Sequence, residues 1–128
     1  MTRGLIDTSV AIANESGRPL LIADLPDEVA ISVVTVGELR AGVLAASDVA
    51  TRDRRLSTLT YALSLNPLPI DELVAEAWAR LRLILRDLGK KMPVNDSWIA
   101  ATAMAHGLPV VTQDADYVEL PALTVIRV

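Results

Sequence analysis

Asp7, Glu38, Asp96 and Asp114 stand in similar local settings, and Asp116 lies two residues beyond the last of them. Asp7 ends an apolar, strand-like run that begins at Gly4. Glu38 follows a second apolar run, Ala30 to Val34, by one helical turn. Asp96 opens a helix-like segment, and Asp114 follows a third apolar run, Leu108 to Thr112. In a parallel α/β sheet, residues just past the carboxyl ends of the strands gather at one edge. Acids far apart in sequence would then meet. Clustered carboxylates without a cation repel one another, and a hard divalent ion relieves that repulsion. Mg²⁺ and Mn²⁺ favour several oxygen ligands and often keep waters. Such an ion lowers the pKa of a bound water and neutralises charge that builds on a phosphate.

Each acid also has an ordinary structural use. Asp7 can cap the helix after it, and Glu38 completes a Thr-x-x-Glu capping box with Thr35. Asp96 lies in a first helical turn, where the macrodipole favours a carboxylate, and Asp114 and Asp116 suit a turn. Taken together, these positions also describe a metal cup. Thr8, Ser9 and Thr112 place hydroxyls beside it, to orient a carboxylate or to cap. Asn95 is the expected N-cap of the helix holding Asp96. His106, the lone histidine, falls in the last turn of that helix, where a cation is merely stabilising. Trp78 and Trp98 read as core or interface residues rather than platforms for a base. No nucleophile elbow, Walker loop or Gly-x-Gly-x-x-Gly fingerprint is present.

The elements that must position these residues alternate. Strand signals fall at Gly4–Ile6, Val29–Val34, Leu68–Ile70, Pro109–Thr112 and Leu123–Val128. Residues 9–27 read as short helical pieces broken by Gly17, Pro19 and Pro26. Thr35–Ala46 predicts a helix with Val36, Leu39, Val43 and Leu44 on one face. Asp48–Leu65 predicts another, with Leu56, Leu59, Leu63 and Val49 inward. Asp71–Leu88 carries Leu73, Val74, Ala77, Leu81, Ile84, Leu85 and Leu88 at helical spacing, stopped by Gly89. Asn95–His106 is stopped by Gly107 and Pro109. Alternating strands and helices favour a three-layer α/β/α fold, and 128 residues suit a single domain, 1–128.

Composition narrows the function. There is no cysteine, so a metal site must use oxygen donors or His106, and the chain fits a cytosolic, cytoplasmic setting. Asp7 interrupts the short apolar stretch at the N-terminus, which therefore reads as no signal peptide, and no run of about 18 apolar residues predicts a membrane span. Mean hydropathy is +0.38 with no Phe, which points to apolar surface reserved for an oligomer or partner. A net charge of −4 argues against a general nucleic-acid coat. Yet residues 48–91 carry eight Lys/Arg against six acids, and residues 92–128 one against four. The basic set is Arg52, Arg54, Arg55, Arg80, Arg82, Arg86, Lys90 and Lys91, with Arg82 and Arg86 one helical turn apart. It forms either part of a substrate groove or a solvated helix face.

Four segments carry a family resemblance: Leu5-Ile6-Asp7-Thr8-Ser9, Val36-Gly37-Glu38-Leu39-Arg40-Ala41-Gly42, Asn95 to Ala103, and Val111-Thr112-Gln113-Asp114-Ala115-Asp116-Tyr117. Their order and intervals resemble the PIN-domain ribonucleases, in particular the VapC-type toxins of bacterial toxin–antitoxin pairs. The resemblance covers essentially the whole chain, and the segments are specific only as a set. It implies a PIN-like α/β/α domain with a central parallel sheet, and Mg²⁺- or Mn²⁺-dependent cleavage of tRNA or rRNA. It matches Asp7, Glu38 and Asp96 to the three central acids, with Asp114 or Asp116 as the fourth. It further implies a homodimer and inhibition by a cognate VapB-type antitoxin. Tyr117 stands where Phe is common. Two other readings compete. A catalytically silent PIN-fold binding module would show a lost acid, and none is lost. A phosphatase or receiver domain would need Asp-x-Asp after the first strand or a late lysine, and both are missing.

Overall fold

The computed structural model describes residues 1–128. Strands β1 (Arg3–Ile6), β2 (Glu28–Ala30), β3 (Val110–Thr112) and β4 (Val125–Arg127) form one parallel sheet in the order β2-β1-β3-β4. The helices are α1 (Thr8–Ala11), α2 (Ala13–Ser16), α3 (Val33–Ala45), α4 (Val49–Ser64), α5 (Glu72–Asp87) and α6 (Val94–His106). A 3₁₀ turn covers Ile22–Asp24.

Apart from exposed Arg3 and the terminal Thr112, the two central strands are apolar, because both sheet faces are covered. Side chains alternate along a strand, so neighbours serve opposite cores. Leu5 and Val110 join Leu81, Leu85, Ile99 and Ala100 from α5 and α6. Ile6 and Val111 join Val10, Leu39, Leu59 and Ala62 from α1, α3 and α4. The result is an α/β/α arrangement with a core on each face. Gly4 is required where the second core closes on β1. A Cβ there would sit 2.8 Å from Val111 Cγ2.

The strand order fixes where a site can form. The chain leaves β1 for β2 on one side and later returns to β3 on the other. The gap between the ends of β1 and β3 is the switch point at which open α/β sheets form their crevice.

Several expectations need correction. The run Val29–Val34 stops as a strand at Ala30, because Ser32 accepts from the Val34 N–H and starts α3 two residues before Thr35. The capping box of Thr35 and Glu38 therefore does not form. Leu68–Ile70 makes only one parallel bridge, Ser32 to Leu68, since Pro67 and Pro69 remove ladder donors. Leu123–Val128 contracts to Val125–Arg127. Pro93, not Asn95, occupies the N-cap of α6 and supplies no side-chain bond. Leu44, Val49, Leu56, Leu63, Leu73 and Leu88 are exposed, so Leu59 with Ala62 and Val74 with Leu81 and Leu85 carry the inward faces of α4 and α5. The helix stops hold: Gly89 and Gly107 both adopt left-handed conformations.

Candidate metal centre

Asp7 leaves the end of β1 and is almost fully buried, at 2% exposure. It does cap α1, accepting the Val10 N–H at 3.2 Å on Oδ1. The same oxygen accepts Ser9 Oγ at 2.6 Å, and Oδ2 accepts Thr112 Oγ1 at 2.5 Å. Capping and site-building are thus one geometry here. Each hydroxyl has its proton committed to Asp7 and uses its lone pairs elsewhere. Ser9 Oγ accepts the Gln113 N–H at 3.0 Å, and Thr112 Oγ1 accepts the Asp114 N–H at 2.8 Å. The loop after β3 is therefore built onto Asp7 through Ser9 and Thr112.

That loop carries the next acids. Asp114 Oδ1 accepts the Asp116 N–H at 3.2 Å, a local turn of the expected kind. It also faces Asp96 from the first turn of α6. Carboxylate oxygens of Asp96, Asp114 and Asp116 lie within 4.8 Å of one another. Glu38, on α3, accepts Thr8 Oγ1 at 2.8 Å, and Thr8 in turn lies 3.1 Å from Thr35 Oγ1. The structure thus gathers Asp7, Glu38, Asp96, Asp114 and Asp116 at the β1/β3 switch point.

Burial and mutual repulsion raise the pKa values of three of these acids. Asp96 is pushed up to about 6, first by burial and then by the charges of Asp114, Asp7, Asp116 and Glu38. Asp7 is raised by burial, against the pull of its hydrogen bonds to Ser9, Thr112 and Val10. Asp116 is raised chiefly by Asp114. No Lys or Arg relieves this, since the ion pairs are Arg80–Glu76 and Arg86–Asp87, both on α5. An uncompensated oxygen-donor set of this kind fits a hard divalent cation, and it contains no nitrogen or sulfur ligand. His106 is exposed at the far end of α6, in keeping with a purely structural role.

Four side chains around the acids were not legible as functional. Tyr117 is 2% exposed and its hydroxyl is buried without a hydrogen-bond partner. Burial and the charges of Asp7, Asp96, Asp114 and Glu38 hold that phenol well above its ordinary range. Ser97, next to Asp96, accepts Trp78 Nε1 at 3.0 Å and donates to the Val94 carbonyl at 2.5 Å. Trp78 and Trp98 stack on each other with centroids 4.2 Å apart, which fits the expectation that they pack rather than receive a base. The sole advance signal was the departure at Tyr117.

A model of the PIN domain matches residues 4–123. This chain belongs to the PIN-domain family. It is 51% identical over 128 residues to Ribonuclease VapC4 of Mycobacterium tuberculosis, covering 98% of this chain and 97% of that one. It is 47% identical over 125 residues to Ribonuclease VapC5 of the same organism, covering 98% and 93%. The crystal structure of VapBC-5, a member of the VapBC family of toxin–antitoxin systems from Mycobacterium tuberculosis, shares the fold. Its matching chain has a TM-score of 0.91 at 44% identity, with 100% of both chains covered. The PIN-domain match spans all five acids and Tyr117. No helix is long and apolar enough to cross a membrane.

Proposed function

We propose that residues 1–128 form one PIN domain that acts as a metal-dependent endoribonuclease, the toxin of a toxin–antitoxin pair whose partner is a VapB-type antitoxin. The observation that carries this reading is the meeting of five carboxylates with no cation among them. The VapC relatives at 47% and 51% identity, both named ribonucleases, support the same substrate class. The retention of every acid in the set speaks against a silent binding module.

Asp96, Asp114 and Asp116 would hold Mg²⁺ or Mn²⁺, with Asp7 and Glu38 completing the negative cup. When bound, the ion supplies Lewis-acid stabilisation of a phosphodiester and lowers the pKa of water. Residues of the chain do the rest. Ser9 and Thr112 fix both Asp7 oxygens, so the carboxylate is oriented before substrate arrives. Thr8 fixes Glu38. Without the ion, burial and the neighbouring carboxylates raise Asp96 to about 6, and a bound cation would favour its ionised, ligating form.

The assembly we propose is a homodimer, supported by exposed Leu73 and Leu83 on α5 and Leu88 at its C-cap. Light scattering at micromolar concentration should give twice the chain mass, and a monomer would contradict it. The functional test is incubation of the purified chain with tRNA and rRNA at millimolar Mg²⁺ or Mn²⁺, followed by sequencing of RNA ends. Discrete metal-dependent cuts support the reading, and intact RNA under all metals refutes it.

A further inference from the structure

We propose that the basic cavity between α5 and the start of α6 is a second contact site for the RNA phosphodiester backbone, anchored by Arg82. This rests on the ribonuclease reading and extends it from the scissile phosphate to the strand beside it.

The cavity has a volume of about 380 Å³ and is bounded by Arg82, Arg86, Lys90, Lys91, Val94 and Ser97, with no carboxylate in its lining. Four cations around one concave space make a field that concentrates polyanions. Arg86 alone among them has an acidic partner, Asp87, at 3.3 Å in an exposed setting. Arg82, Lys90 and Lys91 have none.

Arg82 differs from an ordinary surface arginine. Its guanidinium carbon lies 4.7 Å from the centroid of Trp78, whose ring is stacked on Trp98 at an interplanar angle of 1°. Trp78 is also pinned through Nε1 to Ser97. Trp78 is thus held by Trp98 and Ser97, and the guanidinium packs over it by cation–π attraction. Arg82 makes no hydrogen bond of its own to the protein. Its donor fork therefore remains available for two oxygens of one phosphate, with part of its rotamer entropy already spent.

The cavity also has the right place. Ser97 lines it and is the chain neighbour of Asp96. A strand bound at the acids can pass around the first turn of α6 into this space. The basic pair Arg54 and Arg55 offers a poorer path. Their cavity, of about 460 Å³, also contains Glu15 and Glu38. Arg55 is moreover committed to the Gly42 carbonyl at 2.7 Å, where it ties α4 to α3.

The test uses the full chain and a fluorescent single-stranded RNA. Binding is measured by anisotropy across a salt series in chelator, and cleavage kinetics are then measured with Mn²⁺. Arg82→Gln and the double variant Lys90→Gln/Lys91→Gln should each weaken RNA binding by about tenfold. The slope of log affinity against log salt should fall by about one for Arg82→Gln and about two for the double variant. The loss in cleavage should appear in KM far more than in kcat. Arg80→Gln, which breaks only an exposed pair with Glu76, serves as the control and should match wild type. Should Arg82→Gln disturb the tryptophan stack, seen in near-ultraviolet circular dichroism, the lysine variant carries the test alone. Wild-type affinity and salt slope in the lysine variant would overturn the site. So would a loss of affinity confined to an antitoxin peptide, which would assign the cavity to protein. If wild type cleaves no RNA, the ribonuclease reading itself fails. If wild type cleaves and the variants match it, only the present inference fails.

Discussion

Thr112 Oγ1 donates to Asp7 Oδ2 at 2.5 Å across 105 residues of sequence, joining the ends of the two central strands in a buried setting. The bond orients the most buried acid of the site and, through the Asp114 N–H on the same oxygen, shapes the loop that carries two others. Stability and site geometry therefore depend on one hydroxyl.

Thr112→Val keeps the shape of the side chain and removes that donor and acceptor. Asp7 Oδ2 and the Asp114 N–H then lose their partner. The expected cost is about 1–3 kcal/mol, read as a lower urea midpoint with an unchanged slope. RNA cleavage should fall with it. Wild-type stability in this variant would show that the bond contributes little.

The elevated pKa of Asp96 makes a pH prediction for the metal-free protein. Its folded value, about 6, lies above the ordinary 3.8, so the folded state binds the proton more tightly in that window. The contribution to stability is fully present below 3.8 and is lost as pH rises through about 6. In chelator, Tm should therefore decline from about pH 4 to about pH 7 through this group. Asp96→Asn should flatten the decline and raise Tm at neutral pH by a few degrees. Millimolar Mn²⁺ should restore wild-type Tm at neutral pH by binding the ionised cup, with a smaller effect on the variant. Equal metal responses in both proteins would contradict the assignment of Asp96 as a ligand.

Tyr117 buries a hydroxyl with no partner among the protein groups. Removing an unpartnered polar group from an apolar core relieves desolvation. Tyr117→Phe should be at least as stable as wild type in chelator, by up to about 1 kcal/mol, as measured by urea unfolding. A clear loss of stability would mean that the hydroxyl is hydrogen-bonded through water.

The sheet-forming runs around Leu5, Val110 and Val125 were readable because buried parallel strands leave continuous apolar stretches. Asp7 and Asp114 were readable because they follow such strands. The start of α3 was not, since the apolar run Ala30 to Val34 passes from strand into helix without a change in hydropathy, and Ser32 alone marks the boundary. At α6, Pro93 fixes the entry while Asn95 carries the usual capping side chain, so local preference pointed two residues late. The outward leucines of α4 and α5 misled because helical spacing does not distinguish a core face from a face left exposed. The link from Asp96 through Ser97 to Trp78 and Arg82 joins two helices, and no local pattern reports such a contact.

The central claim is that the carboxylate cup holds the divalent ion on which RNA cleavage depends. Its most direct test is isothermal titration of Mn²⁺ into wild type and Asp96→Asn, with RNA cleavage followed on the same samples. Wild type should bind Mn²⁺ and cleave RNA in proportion to occupancy. Asp96→Asn should remain folded, bind at least tenfold more weakly, about 1.4 kcal/mol, and lose cleavage. Undiminished Mn²⁺ binding or undiminished cleavage in folded Asp96→Asn would contradict the account.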